Sequence, residues 1–194
     1  MASILKVDTI QDQDGNNIIN ESGDTITIGA SGDTITVPTG ATISGALANT
    51  PAFFVTKSVF QGVATATDTK LTFDTEVYDT NNAFASSTFT VPSGQDGKYF
   101  ISASVGCRNA GNIPSVQIFI RKNTSTQIAG NVRTHTYSSG TSQYQTNTIN
   151  GCFSLSASDT IELYCYQDSG GTLEINAYAS VEDTFFYGYK LIGA

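Results

Sequence analysis

The stretch Lys98-Tyr99-Phe100-Ile101-Ser102-Ala103-Ser104-Val105-Gly106-Cys107-Arg108 decides the fold. Tyr99, Ile101, Ala103, Val105 and Cys107 recur at every second position, which lines one side of a strand with apolar groups. The same period returns in Val116, Ile118 and Ile120, and again in Ile161, Leu163 and Cys165. No stretch sustains a helical period. Turn formers punctuate the pattern at 79–82, 92–97, 109–112, 138–140 and 168–171. The chain therefore reads as strands over 52–60, 70–78, 83–91, 98–108, 115–122, 127–133, 143–156, 160–166, 172–181 and 185–192. Regular short strands at this spacing predict an all-β domain, a ten-stranded jelly-roll sandwich.

Composition supports this class. The 194 residues suit one domain with an appendage. Only 13% are charged, and the sequence holds 27 Thr, 20 Ser and 18 Gly. Thr with Ile, Val, Phe and Tyr favours a pleated surface. The net charge of −8 would repel a phosphate backbone, so no nucleic-acid partner is expected. No run approaches the roughly 20 apolar residues of a membrane span, so no membrane insertion is expected. Met1–Val7 lacks an apolar h-region and is followed by Asp8, Asp12 and Asp14, which implies assembly in a cytoplasm. Cys107, Cys152 and Cys165 are odd in number, lack metal-ligand spacing and read as free thiols.

Composition changes near Asn49-Thr50-Pro51. All 11 Phe and 9 Tyr lie at Phe53 or beyond, while residues 1–52 carry one base (Lys6) and six acids. This places a stem at 1–52 and a head at 53–194. The stem contains a repeat: Ser22-Gly23-Asp24-Thr25-Ile26-Thr27-Ile28-Gly29-Ala30, then Ser31-Gly32-Asp33-Thr34-Ile35-Thr36-Val37-Pro38-Thr39, a period of nine. Each copy predicts a short strand with one apolar face, Ile26 and Ile28, then Ile35 and Val37. So few aliphatic side chains, without an aromatic, cannot offset the entropy of ordering the segment. Three chains wrapped about one axis would cover one another's isoleucines, so the stem is expected to be a trimeric β-structure. Calcium is a competing reading, because a nine-residue period also marks calcium-binding β-rolls. Here the second and third glycines of that motif are missing, and Asp24 and Asp33 read better as turn residues. No other cofactor is expected.

In the head, Phe119, Tyr164, Tyr166 and Tyr178 alternate with core residues and so face outward. Such amphipathic rings are enriched at interfaces, and these four are expected to line the trimer contact. Asn109, Asn112, His135, Tyr137, Tyr144 and Asp168 fall in or beside loops grouped at the ends of a sandwich and are candidate receptor contacts.

Four segments carry a family resemblance. Phe73-Asp74-Thr75-Glu76-Val77-Tyr78-Asp79 with Phe84 resembles an aromatic and Tyr-Asp segment of the complement-1q heads. Phe89-Thr90-Val91-Pro92 with Gly97-Lys98-Tyr99-Phe100-Ile101-Ser102 resembles their F-x-x-P-x-x-G-x-Y-x-F pattern, with two residues added to the turn. Leu155-Ser156-Ala157-Ser158-Asp159-Thr160-Ile161-Glu162-Leu163 resembles L-x-x-G-D-x-V-x-L, with Ser158 at the glycine position. Thr184-Phe185-Phe186-Tyr187-Gly188-Tyr189-Lys190-Leu191 is similar to the closing F-x-G-x-x-L. The head thus resembles the complement-1q and tumour-necrosis-factor-like jelly rolls, which implies a trimer fed by an N-terminal stalk. No Gly-X-Y run stands in that stalk's place. Leu5-Lys6-Val7-Asp8-Thr9-Ile10-Gln11-Asp12 with Gly15 resembles the opening of small phage fibre proteins.

The function implied is a homotrimeric phage virion protein, a tail or head fibre. Its stem would dock other virion proteins and its head would attach to a host-surface glycan or protein. The alternative is a capsid decoration or cement protein. A glycan-degrading enzyme is a third reading that the residues do not favour: His135 is the lone histidine, and no G-x-S-x-G elbow, P-loop or H-E-x-x-H is present. No catalytic or metal-binding residue is assigned.

Overall fold

A computed structural model describes residues 9–11, 13, 17–22, 25–29, 31–39, 50–109, 115–134, 143–175 and 183–192. The chain divides into two compact units, Met1–Ile43 and Ser44–Ala194.

The first unit holds β1 (Thr9–Gln11), β2 (Asn17–Ser22) and β3 (Thr25–Ile28), an antiparallel sheet in the order β1-β2-β3. Register sets Ile10 opposite Ile19 and Ile19 opposite Ile28. One row of isoleucine therefore crosses all three strands, and its members are 41%, 38% and 57% exposed. The first copy of the nine-residue repeat is β3, as its alternation predicts. The second copy, Thr34–Val37, belongs to no strand. Sequence alone treats the two copies alike; a strand also needs a hydrogen-bonding neighbour, and among the described residues only the first copy has one.

The second unit contains thirteen strands among the described residues, where ten were expected. They are β4 (Ala52–Thr56), β5 (Gln61–Val63), β6 (Thr69–Lys70), β7 (Thr75–Asp79), β8 (Phe84–Ala85), β9 (Thr88–Thr90), β10 (Gly97–Asn109), β11 (Ser115–Lys122), β12 (Thr126–Thr134), β13 (Gln143–Leu155), β14 (Thr160–Gln167), β15 (Leu173–Ile175) and β16 (Phe185–Lys190). Two predicted strands are each broken in two. The stretch 83–91 turns at Ser86 and Ser87, whose φ angles are 50° and 58°. The stretch 70–78 is interrupted at Leu71–Asp74, and β5 matches no strand that the sequence predicts. The first predicted strand ends at Thr56, not Phe60, because the Asp74 carboxylate accepts from Ser58 N at 2.7 Å and Val59 N at 3.1 Å and turns the chain.

β10, the stretch that decides the fold, is the centre of one sheet. β13 pairs along its whole length on one side. On the other side β16 covers Tyr99–Ser104 and β15 covers Cys107–Arg108. β4 and then β7 extend the sheet beyond β16, and β5 pairs with β15. The second sheet runs β12-β11-β14, with β9 and β6 on the far side of β14 and β8 beyond β9. The predicted inward residues, including Tyr99, Ile101, Val105, Ile118, Ile120, Ile161, Leu163 and Cys165, form one core. Phe53 is its aromatic hub, with ring centroids 5.1 Å from Phe84, 4.7 Å from Phe89 and 5.1 Å from Phe186.

Candidate functional site

The outward side of β10, β16, β4 and β7 is paved with aromatic rings. Phe53 faces the core, so Phe54 faces out; Phe186 is buried, so Phe185, Tyr187 and Tyr189 face out. Register places Phe100 opposite Tyr189, Tyr187 opposite Phe54, and Phe54 opposite Tyr78. The rings touch across the strands. Phe54 lies 6.0 Å from each of Tyr78, Phe185 and Tyr187, and Phe100 lies 5.5 Å from Tyr189. Phe54, Tyr78, Phe185 and Tyr187 line an open groove of about 280 Å³. Six rings side by side on one sheet face form a continuous apolar patch, the kind of surface that marks an association site.

Asp183 sits at the edge of this patch, over Gly106 of β10, where a side chain at 106 would meet its carboxylate. Burial raises its pKa above the ordinary carboxylate value, and one of its oxygens has no partner among the described residues. Nearby, Gly106 N donates to the Thr184 hydroxyl at 3.0 Å, which ties the start of β16 to β10.

The face expected to form the trimer contact lies on the other sheet and is built differently. Phe119 is 2% exposed within a single chain. It stacks on Tyr164 with centroids 5.6 Å apart and planes 16° from parallel. The Arg121 guanidinium covers both rings, 4.9 Å and 4.4 Å from their centroids, and pairs with Asp68. Glu162 accepts from Lys70 at 2.6 Å, Thr88 at 3.0 Å and the Tyr164 hydroxyl at 3.1 Å. Burial alone would raise the Glu162 pKa, but these donors together hold it below the usual value. Charge-assisted bonds thus pair most polar groups on this sheet face, the buried Arg121 Nε being without a partner among the described residues, and Phe119 itself is covered by its own chain. Tyr166 is half-buried opposite Gln117, and Tyr178 lies outside the described residues.

The stem residues are open. Ile26, Ile28, Ile35 and Val37 are 69%, 57%, 64% and 48% exposed. Of the loop candidates, Asn112, His135 and Tyr137 lie outside the described residues. Asn109 ends β10, Tyr144 lies in β13 opposite Arg108, and Asp168 is exposed. Asp168 follows the fully buried Gln167, whose amide donates to Val63 O at 3.0 Å and Gly171 O at 2.8 Å and so clamps the 168–171 turn. Among the described residues no cluster of three His, Cys, Asp or Glu could hold a metal ion.

The aromatic patch had a signal in the sequence. Phe53-Phe54 and Phe185-Phe186 are doublets, and in a strand one ring of each must point away from the core. What sequence lacked was the pairing of β4, β16, β10 and β7, which adds single outward rings into one surface.

No family model and no curated protein matches the chain. Solved structures do. The globular domain of zebrafish complement 1qA protein is similar with a TM-score of 0.52 and 14% identity, covering 73% of this chain and 97% of that one. The Eiger tumour-necrosis factor of S. frugiperda is similar with a TM-score of 0.57 and 10% identity, covering 74% of this chain and 93% of that one. The head has the jelly-roll fold of these domains. Likeness at this identity speaks to fold alone.

Proposed function

We propose that the chain is a homotrimeric virion structural protein, a fibre or knob whose stem docks other virion proteins and whose head attaches to a host-surface glycan. The observation that carries the oligomer is apolar surface left open on a single copy. It is present in both units, as the isoleucine row of the stem and the aromatic face of the head. The aromatic face replaces the Phe119 face as the head's self-association surface, because Phe119 is already covered by its own chain. The virion assignment rests on the opening at Leu5–Asp12 and on the pairing of an acidic, repeat-bearing stem with a jelly-roll head. The head's loops carry receptor contact in this reading, and three tips would add avidity to weak single-site binding.

The capsid decoration reading is favoured by one feature. Among the described residues the stem folds back on itself, and its longest strand, six residues, spans only about 20 Å, a short reach for a host-seeking fibre.

The test is solution mass by light scattering on the full chain, followed by copy number in purified particles. A mass of 61.5 kDa, three times 20.5 kDa, is expected; a mass of 20.5 kDa overturns the oligomer. Few copies at a vertex or tail support attachment, and binding to host cells or a glycan array should then be measurable. Many copies over the shell, with no host binding, support decoration instead.

A further inference from the structure

The two copies of the stem repeat share their first six residues, yet among the described residues only the first forms a strand. β3 pairs with β2 along one edge, and among the described residues nothing pairs with its other edge. Thr34–Val37 carries the same alternation, Thr-Ile-Thr-Val against Thr-Ile-Thr-Ile, and stands exposed outside any strand. An unpaired edge and an unpaired strand-former of matching sequence are the two halves of a β-addition.

We propose that Thr34–Val37 of one chain adds to the free edge of β3 in a second copy of the same chain. This rests on the oligomeric reading above and names its contact in the stem. Four features fit the two halves to one another. Thr25–Ile28 and Thr34–Val37 are both uncharged, in a region holding six acids and one base, so antiparallel pairing, which keeps Asp24 and Asp33 at opposite ends, brings no carboxylates into register. With the apolar sides aligned, Ile35 or Val37 becomes the fourth member of the Ile10–Ile19–Ile28 row and covers part of Ile28, now 57% exposed. β1 offers a poorer edge, since it is three residues long with a register shift between Ile10 and Gln11. Pro38 lacks the N–H to extend a ladder and ends the added strand where the repeat ends. Each chain gives one strand and receives one. That is a head-to-tail contact, which closes into a ring of fixed copy number when the rotation per copy allows it.

The test uses full-length chains in a Cys152→Ser background, which removes the exposed native thiol. Chains bearing only Thr27→Cys are co-expressed with differently tagged chains bearing only Thr36→Cys, and in parallel Thr34→Cys. With the apolar sides aligned, these threonines share the opposite side of the new pair. Oxidised glutathione should cross-link Thr27→Cys chains to one of the two partner variants in high yield, at least tenfold above Thr27→Cys with Ile35→Cys. Thr36→Pro, at a position outside any strand of the single chain, should weaken association at least tenfold without loss of the head's fold. No mixed cross-link in particles of trimer mass overturns the β-addition while the oligomer stands. An intrachain disulfide in the Thr27→Cys/Thr36→Cys double variant also overturns it, because the repeat would then close on itself. A monomer mass for the unmodified chain removes both this proposal and the reading beneath it.

Discussion

Phe53 and Phe54 are chain neighbours on opposite faces of β4, and replacing each by alanine separates fold from assembly. Phe53 is fully buried and packs on Phe84, Phe89 and Phe186. Phe53→Ala empties a ring-sized space at the centre of the core and should cost about 3–5 kcal/mol of unfolding free energy, the usual range for a buried phenylalanine. The loss should be the same at every protein concentration. Phe54 is half-buried and lines the outward groove with Tyr78, Phe185 and Tyr187. Phe54→Ala should cost the single chain about 1 kcal/mol, from ring contacts near 6.0 Å. In an assembly it should cost each copy a further ~1.5–3 kcal/mol, the value of burying such a side chain. Chemical denaturation at micromolar and at hundredfold lower concentration, with light scattering on the same samples, reads both effects. Phe53→Ala should lower the midpoint equally at both concentrations and leave the mass of folded protein unchanged. Phe54→Ala should shift the mass toward 20.5 kDa on dilution, with a midpoint that depends on concentration. If Phe54→Ala destabilises as much as Phe53→Ala at every concentration and the mass never changes, the outward face is not an association surface.

Three further outcomes follow from local geometry. A methyl group at Gly188 would lie 2.5 Å from Ile101 Cδ1 and 3.0 Å from Phe53 Cε1, so Gly188→Ala should destabilise by about 1–3 kcal/mol in thermal or denaturant unfolding. Ser158 has a φ of 71° in the turn before Asp159, and Ser158→Gly should stabilise by about 1 kcal/mol, measured as a higher denaturant midpoint. The Asp159 pKa is held down at about 2, mainly by the bond from Lys122 at 2.7 Å, with help from Ser156 N and Asn123. Because the folded pKa is depressed, this stabilisation is complete above about pH 4 and is lost as pH falls toward 2; Asp159→Asn should flatten that part of the stability-against-pH curve.

The legible part of this protein is the part carried by local period. Alternation in Lys98–Arg108, Ser115–Lys122 and Thr160–Tyr166 assigned strands, and it assigned their core faces residue by residue. Turn chemistry placed the breaks at 79–82, 92–97 and 168–171, while 110–112 and 138–140 lie outside the described residues; the left-handed pair Ser86-Ser87 carries no glycine to announce it. The candidate surface was less legible. Phe119 reads as an outward aromatic, whereas for the doublet Phe53-Phe54 period two says only that the two rings take opposite faces. Phe119 and Phe54 differ because Arg121 and Tyr164 cover Phe119 from its own sheet, while β16 and β7 bring more rings beside Phe54.

Composition and local period establish that this chain is all-β, that an aromatic-free acidic segment precedes an aromatic-rich one, and which side of each long strand is apolar. Those are properties of composition and of neighbours two residues apart. The tertiary structure alone decided which outward rings gather into a surface and which repeat copy becomes a strand. Both depend on pairing between segments far apart in the chain: β4 meets β16 across more than a hundred residues, and β3 finds β2 while Thr34–Val37 joins no strand. A side chain's face follows from its own strand, but its surroundings follow from which strands lie beside it.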